Sequence, residues 1–240
     1  MKFFAVFLLI FLVFVGFEIL QTRKLITIGV GLAESAVPFE RLLPDAELQI
    51  LVIGDSTAVG TGAQSSEASL AGLVGKKFPQ ASIRNLGVNG ARTVELIARL
   101  EQIQDQHFDI ILLHIGGNDT VYHTDLKELE KSITTVLDLS LKMADRVVLT
   151  STGNVGTALL LPFGTRSQFE RRTRQVRAIF KPAAESRGIH YSDLMREGSE
   201  DPYAKEPLKY YAADLFHPSD IGYQDWFAFI EPGLEGIVKK

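Results

Sequence analysis

The distribution of apolar residues separates a short N-terminal segment from the rest of the chain. From Phe3 to Phe17 every residue is apolar except Gly16. As a helix, Phe3 to Leu20 would be about 27 Å long at roughly 1.5 Å per residue, which is close to the thickness of a bilayer core. The pattern predicts a membrane-spanning helix at the N-terminus.

Two interpretations of this segment remain open. A cleaved signal peptide requires a small-x-small cleavage site soon after the apolar run, and none stands near Phe17. An uncleaved anchor therefore fits the sequence better. Lys2 precedes the run and Arg23 and Lys24 follow it, so the flanking charges nearly balance and leave the orientation open. We expect a membrane-anchored protein with its body outside the cytoplasm, and secretion after cleavage is the alternative.

The segment after the anchor changes in character. Residues 25–44 combine a short apolar patch with two glycines and Pro38, which is typical of a tether. We therefore expect an anchor over residues 1–24, a tether over residues 25–44 and a folded body over residues 45–240.

The body alternates apolar runs with segments of helical periodicity. Such runs, closed by glycine or polar turns, are typical of buried parallel strands. Connections long enough for a helix indicate a doubly wound parallel sheet with helices on both faces. The five predicted strands are Leu48–Ile53, Ser82–Leu86, Phe108–Ile115, Arg146–Ser151 and Ile189–Ser192.

The amino-acid composition excludes several classes of function. The chain has 240 residues, 46% of them apolar and 22% charged, enough for one folded α/β body. The net charge is −4, which argues against a partner bound through its phosphates, so we expect no nucleic acid. Since there is no cysteine, disulfides, thiolate metal sites and a catalytic cysteine are excluded.

Polar residues with catalytic potential follow several of the predicted strands. Ser56 comes after the first strand, Asn118 after the third, and Asp214 and His217 stand near the C-terminus. A serine is a weak nucleophile until a base takes its proton, and a histidine held by a carboxylate is such a base. The tetrahedral intermediate needs hydrogen-bond donors, which the backbone N–H groups of Ser56 and Gly90 and the side-chain amide of Asn118 can supply.

Together these blocks resemble the SGNH (GDSL-type) hydrolase family from about Asp45 to Phe229. The resemblance implies a flavodoxin-like three-layer α/β/α sandwich with a five-stranded parallel sheet. It also implies a serine esterase or lipase that needs no metal or cofactor. The implied nucleophile is Ser56, paired with Asp214 and His217, and the implied oxyanion donors are Ser56, Gly90 and Asn118. Thr57 stands where the family commonly has leucine, which bears on substrate shape more than on activity.

Other polar residues have structural interpretations. We expect Asp55 and Asp119 to hold turn backbones in place and His114 to be a hydrogen-bonded core residue. The run Leu159 to Phe163 is either a lid or wall of the site or a loop packed on the sheet. A second set of aromatic residues forms either the opposite wall or part of the core: Tyr203, Tyr210, Tyr211 and Phe216.

We expect hydrolysis of small-molecule or lipid acyl esters through an acyl-enzyme on Ser56. A deep apolar pocket would favour a lysophospholipase or thioesterase. An exposed groove with aromatic residues would favour the first alternative, an acyltransferase or deacetylase that acts on cell-envelope polysaccharide. The second alternative is a binding module that keeps the fold without catalysis.

Overall fold

The computed structural model describes residues 2–235. Its centre is a parallel sheet with strand order β2-β1-β3-β4-β5, which is the order of a flavodoxin-like fold. The predicted α/β sandwich with five parallel strands is confirmed. The strands are β1 (Gln49–Gly54), β2 (Ser82–Asn85), β3 (Phe108–His114), β4 (Ala144–Thr150) and β5 (His190–Ser192).

Ten α-helices connect or flank the strands in the described residues. They are α1 (Lys2–Ser35), α2 (Ser56–Val59), α3 (Leu70–Lys77), α4 (Glu95–Glu101), α5 (Gly117–Val121), α6 (Leu126–Met143), α7 (Arg166–Glu185), α8 (Pro202–Lys205), α9 (Pro207–Tyr210) and α10 (Asp220–Ile230).

Helices cover both faces of the sheet. Successive side chains on a strand point to opposite sides, so each central strand contributes to two separate cores. On β1, Leu51 and Ile53 pack in a core that includes residues of α4, α6 and α7. Their neighbours Ile50 and Val52 pack in a second core with residues of α3 and α10. This explains the continuous apolar runs of the central strands, which have no solvent-facing side.

The N-terminal helix is longer than the sequence indicates. Helix α1 continues without a break to Ser35, so the first part of the expected tether over residues 25–44 is helical. Gly29 and Gly31 are tolerated inside it, and it ends shortly before Pro38, which disfavours helical backbone at the preceding residue.

Packing of the body also begins before the expected boundary at Asp45. Arg41 pairs with Ile83 in an antiparallel bridge beside β2, and its guanidinium donates to the Ala81 carbonyl oxygen at 3.0 Å. Phe39 packs against the core on the α3 side of the sheet. The segment between α1 and β1 is therefore part of the folded body from about Phe39 onward.

Helix α1 contains the one described segment that is long and apolar enough to cross a membrane. The candidate span is Phe3–Ser35, and the most apolar window within it has a mean hydropathy of 2.9 with none of its residues buried.

Candidate active site

The strand order places two loops side by side. It reverses between β1 and β3, because β2 lies on one side of β1 while β4 and β5 continue beyond β3. Ligands of such sheets bind where the carboxyl ends of the strands diverge. Ser56 directly follows β1 and Asn118 follows β3, so both residues lie at this reversal.

A tight strand-to-helix turn positions Ser56. The Asp55 N–H donates to the His114 carbonyl oxygen at 3.1 Å, which holds the turn to the end of β3. Asp55 Oδ1 accepts hydrogen bonds from the N–H and the hydroxyl of Thr57, at 2.9 and 2.5 Å. The expected role of Asp55 in holding this turn is thus observed. Thr57, which stands where the resemblance leads one to expect leucine, supplies both hydrogen-bond donors.

The loop before α10 carries Asp214 and His217. Asp214 Oδ1 accepts hydrogen bonds from the backbone N–H groups of Phe216 and His217, at 3.1 and 3.0 Å. Leu215, which lies between Asp214 and Phe216, adopts a φ of +56°, a left-handed conformation that non-glycine residues rarely adopt. This tight turn brings the Asp214 carboxylate and the His217 imidazole, which are three residues apart in the chain, face to face.

The structure joins the three predicted catalytic residues in one hydrogen-bonded chain. Asp214 Oδ2 lies 2.6 Å from His217 Nδ1, and His217 Nε2 lies 3.0 Å from Ser56 Oγ. Asp214 is fully buried, and Ser56 is 8% exposed. Both distances are within the range at which a base takes a proton from a hydroxyl and a carboxylate orients that base.

The predicted oxyanion donors are only partly brought together. Asn118 lines the cavity that Ser56 and His217 also line, while Gly90 does not. Asn118 Nδ2 donates to the carbonyl oxygen of Ala91 at 3.1 Å, and because an amide nitrogen carries two hydrogens, one remains for a ligand. Gly90 is exposed in the adjacent loop with a φ of +81°, which favours glycine.

Asp119 connects the loop after β3, which carries Asn118, with the loop after β2, which carries Gly90. Its Oδ2 accepts hydrogen bonds from the N–H and the hydroxyl of Thr93, at 3.0 and 2.6 Å. All three groups are buried. The expected structural role of Asp119 is observed, and it fixes the loop that carries Gly90 against the loop that carries Asn118.

A small cavity extends from Ser56 into the protein. It leaves about 40 Å³ for the centres of water-sized groups. Its lining includes the buried side chains of Tyr203, Tyr211 and Trp226 and the half-buried side chains of Phe216 and His217. Of the aromatic residues that the sequence left between wall and core, Tyr203, Tyr211 and Phe216 therefore line the site, and Tyr210 does not.

Several buried polar atoms of this cavity have no hydrogen-bond partner among the described residues. They are Nδ1 and Nε2 of His114, the Tyr203 hydroxyl, Trp226 Nε1 and Arg196 Nε. A buried polar group without a partner costs about 1–3 kcal/mol, so these atoms lower the stability of this part of the protein. Trp226 carries no signal in the sequence that assigns it to the site, because its distance from Ser56 depends on how α10 packs.

His114 differs from expectation. It is buried as predicted, but neither ring nitrogen has a partner in the described structure, so it is not a hydrogen-bonded core histidine. Its ring lies 5.3 Å from that of Trp226, and burial lowers its pKa to about 3. A neutral histidine therefore lines the inner cavity.

The run Leu159 to Phe163 does not line this cavity; the preceding residues Thr157 and Ala158 do. The Phe163 N–H instead donates to Glu18 Oε2 of α1 at 3.0 Å. Leu161 is buried in a hydrophobic cluster with Tyr203 and Trp226, and Leu160 packs against that cluster, so this part of the run is packed on the body.

The family is shown by comparison with known proteins. Residues 52–224 match the model of the GDSL-like lipase/acylhydrolase family, and the chain belongs to that family. It is a hydrolase of the esterase class, and the expected resemblance is confirmed. A search of curated proteins found no match.

Solved structures with the same fold have low sequence identity to this chain. A lipolytic G-D-S-L family protein from Veillonella parvula is 16% identical, with 77% of this chain and 96% of that chain covered and a TM-score of 0.63. LAE5, an alpha/beta hydrolase from the metagenome of Lake Arreo, is 18% identical, with coverage of 81% and 98% and a TM-score of 0.64. A catalytic mutant of Axe2, an acetylxylan esterase from Geobacillus stearothermophilus, is 18% identical, with coverage of 81% and 98% and a TM-score of 0.60.

The buried carboxylate of Asp55 makes stability depend on pH. Burial, opposed by the Thr57 hydrogen bonds, raises its pKa from 3.8 to about 6. A raised pKa in the folded state means that this contribution to stability is present below pH 4 and is lost as pH rises through about 6.

We expect Asp55→Asn, which keeps an acceptor for Thr57, to remove this pH dependence. Between pH 4 and pH 7.5 the wild type should lose about 2 kcal/mol more stability than the variant, because the whole shift is worth about 3 kcal/mol at 1.36 kcal/mol per pKa unit and part of it is already lost at pH 4. Unfolding of the detergent-solubilised full chain can be followed by the fluorescence of its single tryptophan, the buried Trp226. Asp45→Asn, at an exposed position, is the control, and equal pH dependence in all three proteins would contradict the prediction.

Proposed function

We propose that the protein hydrolyses carboxylic esters through an acyl-enzyme on Ser56. The observation that carries this proposal is the hydrogen-bonded chain from Asp214 through His217 to the Ser56 hydroxyl. Membership of the esterase family supports the reaction class.

In the proposed mechanism, His217 Nε2 takes the hydroxyl proton while Ser56 Oγ bonds to the ester carbonyl carbon. Asn118 Nδ2 and backbone N–H groups stabilise the resulting oxyanion. The intermediate collapses by breaking the carbon–oxygen bond to the alcohol, and His217 gives its proton to that oxygen. Water then repeats the sequence on the acyl-enzyme, releasing the acid and restoring Ser56. Asp214 orients the imidazole and stabilises its cationic form.

The direction of the leaving group follows from the position of His217. Because His217 protonates the alcohol oxygen, the alcohol lies on its side of Ser56, near Phe216. The acyl group then lies on the side away from His217, because His217 faces the leaving oxygen and Asn118 faces the oxyanion. This orientation directs the acyl group into the inner cavity.

The size of the cavity supports a short acyl group. A water molecule needs roughly 10–15 Å³ of such space, so about 40 Å³ accommodates about three non-hydrogen atoms, the size of an acetyl group. This argues against a long-chain lysophospholipase or thioesterase, and it favours acetyl esters, with acetylated polysaccharide of the cell envelope as a second candidate.

We further propose that α1 is an uncleaved membrane anchor that holds the body outside the cytoplasm. Its first part is apolar and exposed, with Phe3 94% and Phe17 59% exposed, whereas Leu25 is 6% exposed against the body. A cleaved signal peptide is removed and contributes no packing contacts to the mature protein. These contacts support an anchor over a cleaved signal.

We expect Ser56→Ala to lower kcat by about 10³-fold or more, because the nucleophile and its base act as a unit. Hydrolysis of p-nitrophenyl acetate measures this loss, and a fluorophosphonate probe should label the wild type but not the variant. Ser65→Ala, at an exposed position of the following loop, is the matched control. Full turnover in Ser56→Ala would overturn the mechanism, and an unlabelled, inactive wild type would indicate a binding module.

The cavity predicts the acyl-chain preference. Among p-nitrophenyl esters with two to eight acyl carbons, kcat/KM should be highest for the shortest, and about tenfold or more lower for octanoate. Trp226→Ala should raise the ratio of octanoate to acetate hydrolysis because it enlarges the inner end of the cavity. Phe229→Ala on the outer side of the same helix should leave the ratio unchanged. A wild type that prefers octanoate would refute the short-acyl proposal.

A further inference from the structure

One face of the second half of α1 packs on the folded body. The less exposed positions recur at helical spacing, at Thr22, Leu25, Gly29 and Ala33, while Ile26 and Val30 between them are exposed. Positions three or four residues apart lie on the same side of a helix. The part of α1 that follows Leu20 is therefore docked on the folded body.

The docked face reaches the proposed catalytic carboxylate. A Cβ atom placed on Gly29 would lie 3.0 Å from Asp214 Oδ2, a distance tighter than ordinary van der Waals contact. Asp214 Oδ2 is the same oxygen that faces His217 Nδ1 at 2.6 Å. Only the hydrogen of glycine leaves this oxygen undisturbed while the helix covers it.

The helix also contacts two other loops of the site. Asn89 Nδ2 donates to the Ala33 carbonyl oxygen at 2.8 Å, and Asn89 Oδ1 accepts from the Thr61 hydroxyl at 2.7 Å. Nearer the N-terminus, Glu18 Oε2 accepts the Phe163 N–H, and the rings of Phe14 and Phe163 meet edge to face with centroids 6.5 Å apart. Helix α1 thus touches the loop before α10, the loop after β2 and the loop after β4.

We infer that α1 is a wall of the catalytic site and that Gly29 is a positioning residue for Asp214. This inference rests on the proposed function of Ser56. The helix excludes water from Asp214 Oδ2, so that His217 Nδ1–H is its hydrogen-bond donor on that side. A displaced carboxylate would orient the imidazole poorly and slow proton transfer without changing how the ester binds.

The test compares Gly29→Ala with Gly31→Ala in the full chain, solubilised in detergent. Both substitutions replace glycine by alanine in one helix and gain similar helix propensity, about 1 kcal/mol each. A Cβ on Gly31 meets nothing within 4 Å, which makes it a matched control. We expect Gly29→Ala to lower kcat and the rate of fluorophosphonate labelling about 10- to 100-fold, with KM and Tm unchanged or Tm raised. Gly31→Ala should retain wild-type kcat.

A second pair tests the same inference without introducing a clash. Leu25→Ala removes a buried contact one turn from Gly29, whereas Ile26→Ala changes a side chain that is 48% exposed. Leu25→Ala should lower kcat several-fold, and Ile26→Ala should not, which keeps the test decisive if Gly29→Ala folds poorly. Equal kcat in both matched pairs, with Ser56 still labelled and essential, would overturn the inference and leave the proposed function intact. Loss of the Ser56 dependence would instead overturn the proposed function.

Discussion

A fully buried carboxylate governs how the site is built. A buried charge is tolerated only when hydrogen bonds replace its lost hydration, and Asp214 obtains them from its own loop. Oδ1 accepts two backbone N–H groups and so fixes the turn around Leu215. Oδ2 remains for the imidazole of His217, which is thereby aimed at Ser56. One side chain thus both folds the loop and orients the proposed base.

The sheet supplies the other half of the site without any special interaction. Because the strand order reverses between β1 and β3, the loops after these strands diverge and leave a crevice. Ser56 and Asn118 enter it from the two sides, and the buried Asp119 ties the Asn118 loop to Thr93. A hydrogen-bonded rim of this kind holds its donors in place before substrate binds, which is what stabilisation of an oxyanion requires.

Two features of the structure bear on function more than on stability: the polar residues that line the cavity, and the contact of the N-terminal helix with Asp214. Polar atoms of His114, Tyr203 and Trp226 are buried without a hydrogen-bond partner among the described residues, which is unfavourable for stability. Helix α1 brings Gly29 to Asp214 only nine residues beyond Leu20, about 14 Å along the helix at roughly 1.5 Å per residue. If the apolar span lies in a bilayer, the proposed site works close to the membrane surface, and the anchor contributes to the catalytic geometry.

The sequence by itself determined the sheet and its five strands, since burial periodicity and glycine-rich turns are local signals. The resemblance to the family predicted Ser56, Asn118, Asp214 and His217 as site residues, and the structure places all four at one cavity or against it. The sequence also determined the turn-holding roles of Asp55 and Asp119. Only the tertiary structure decided that α1 runs to Ser35 and docks on Asp214, and that Gly90 lies outside the cavity lining. It also decided that the ring nitrogens of His114 have no partner among residues 2–235. These features depend on which surfaces of distant elements meet. That outcome is a balance of packing over the whole chain, and no local pattern of residues encodes it.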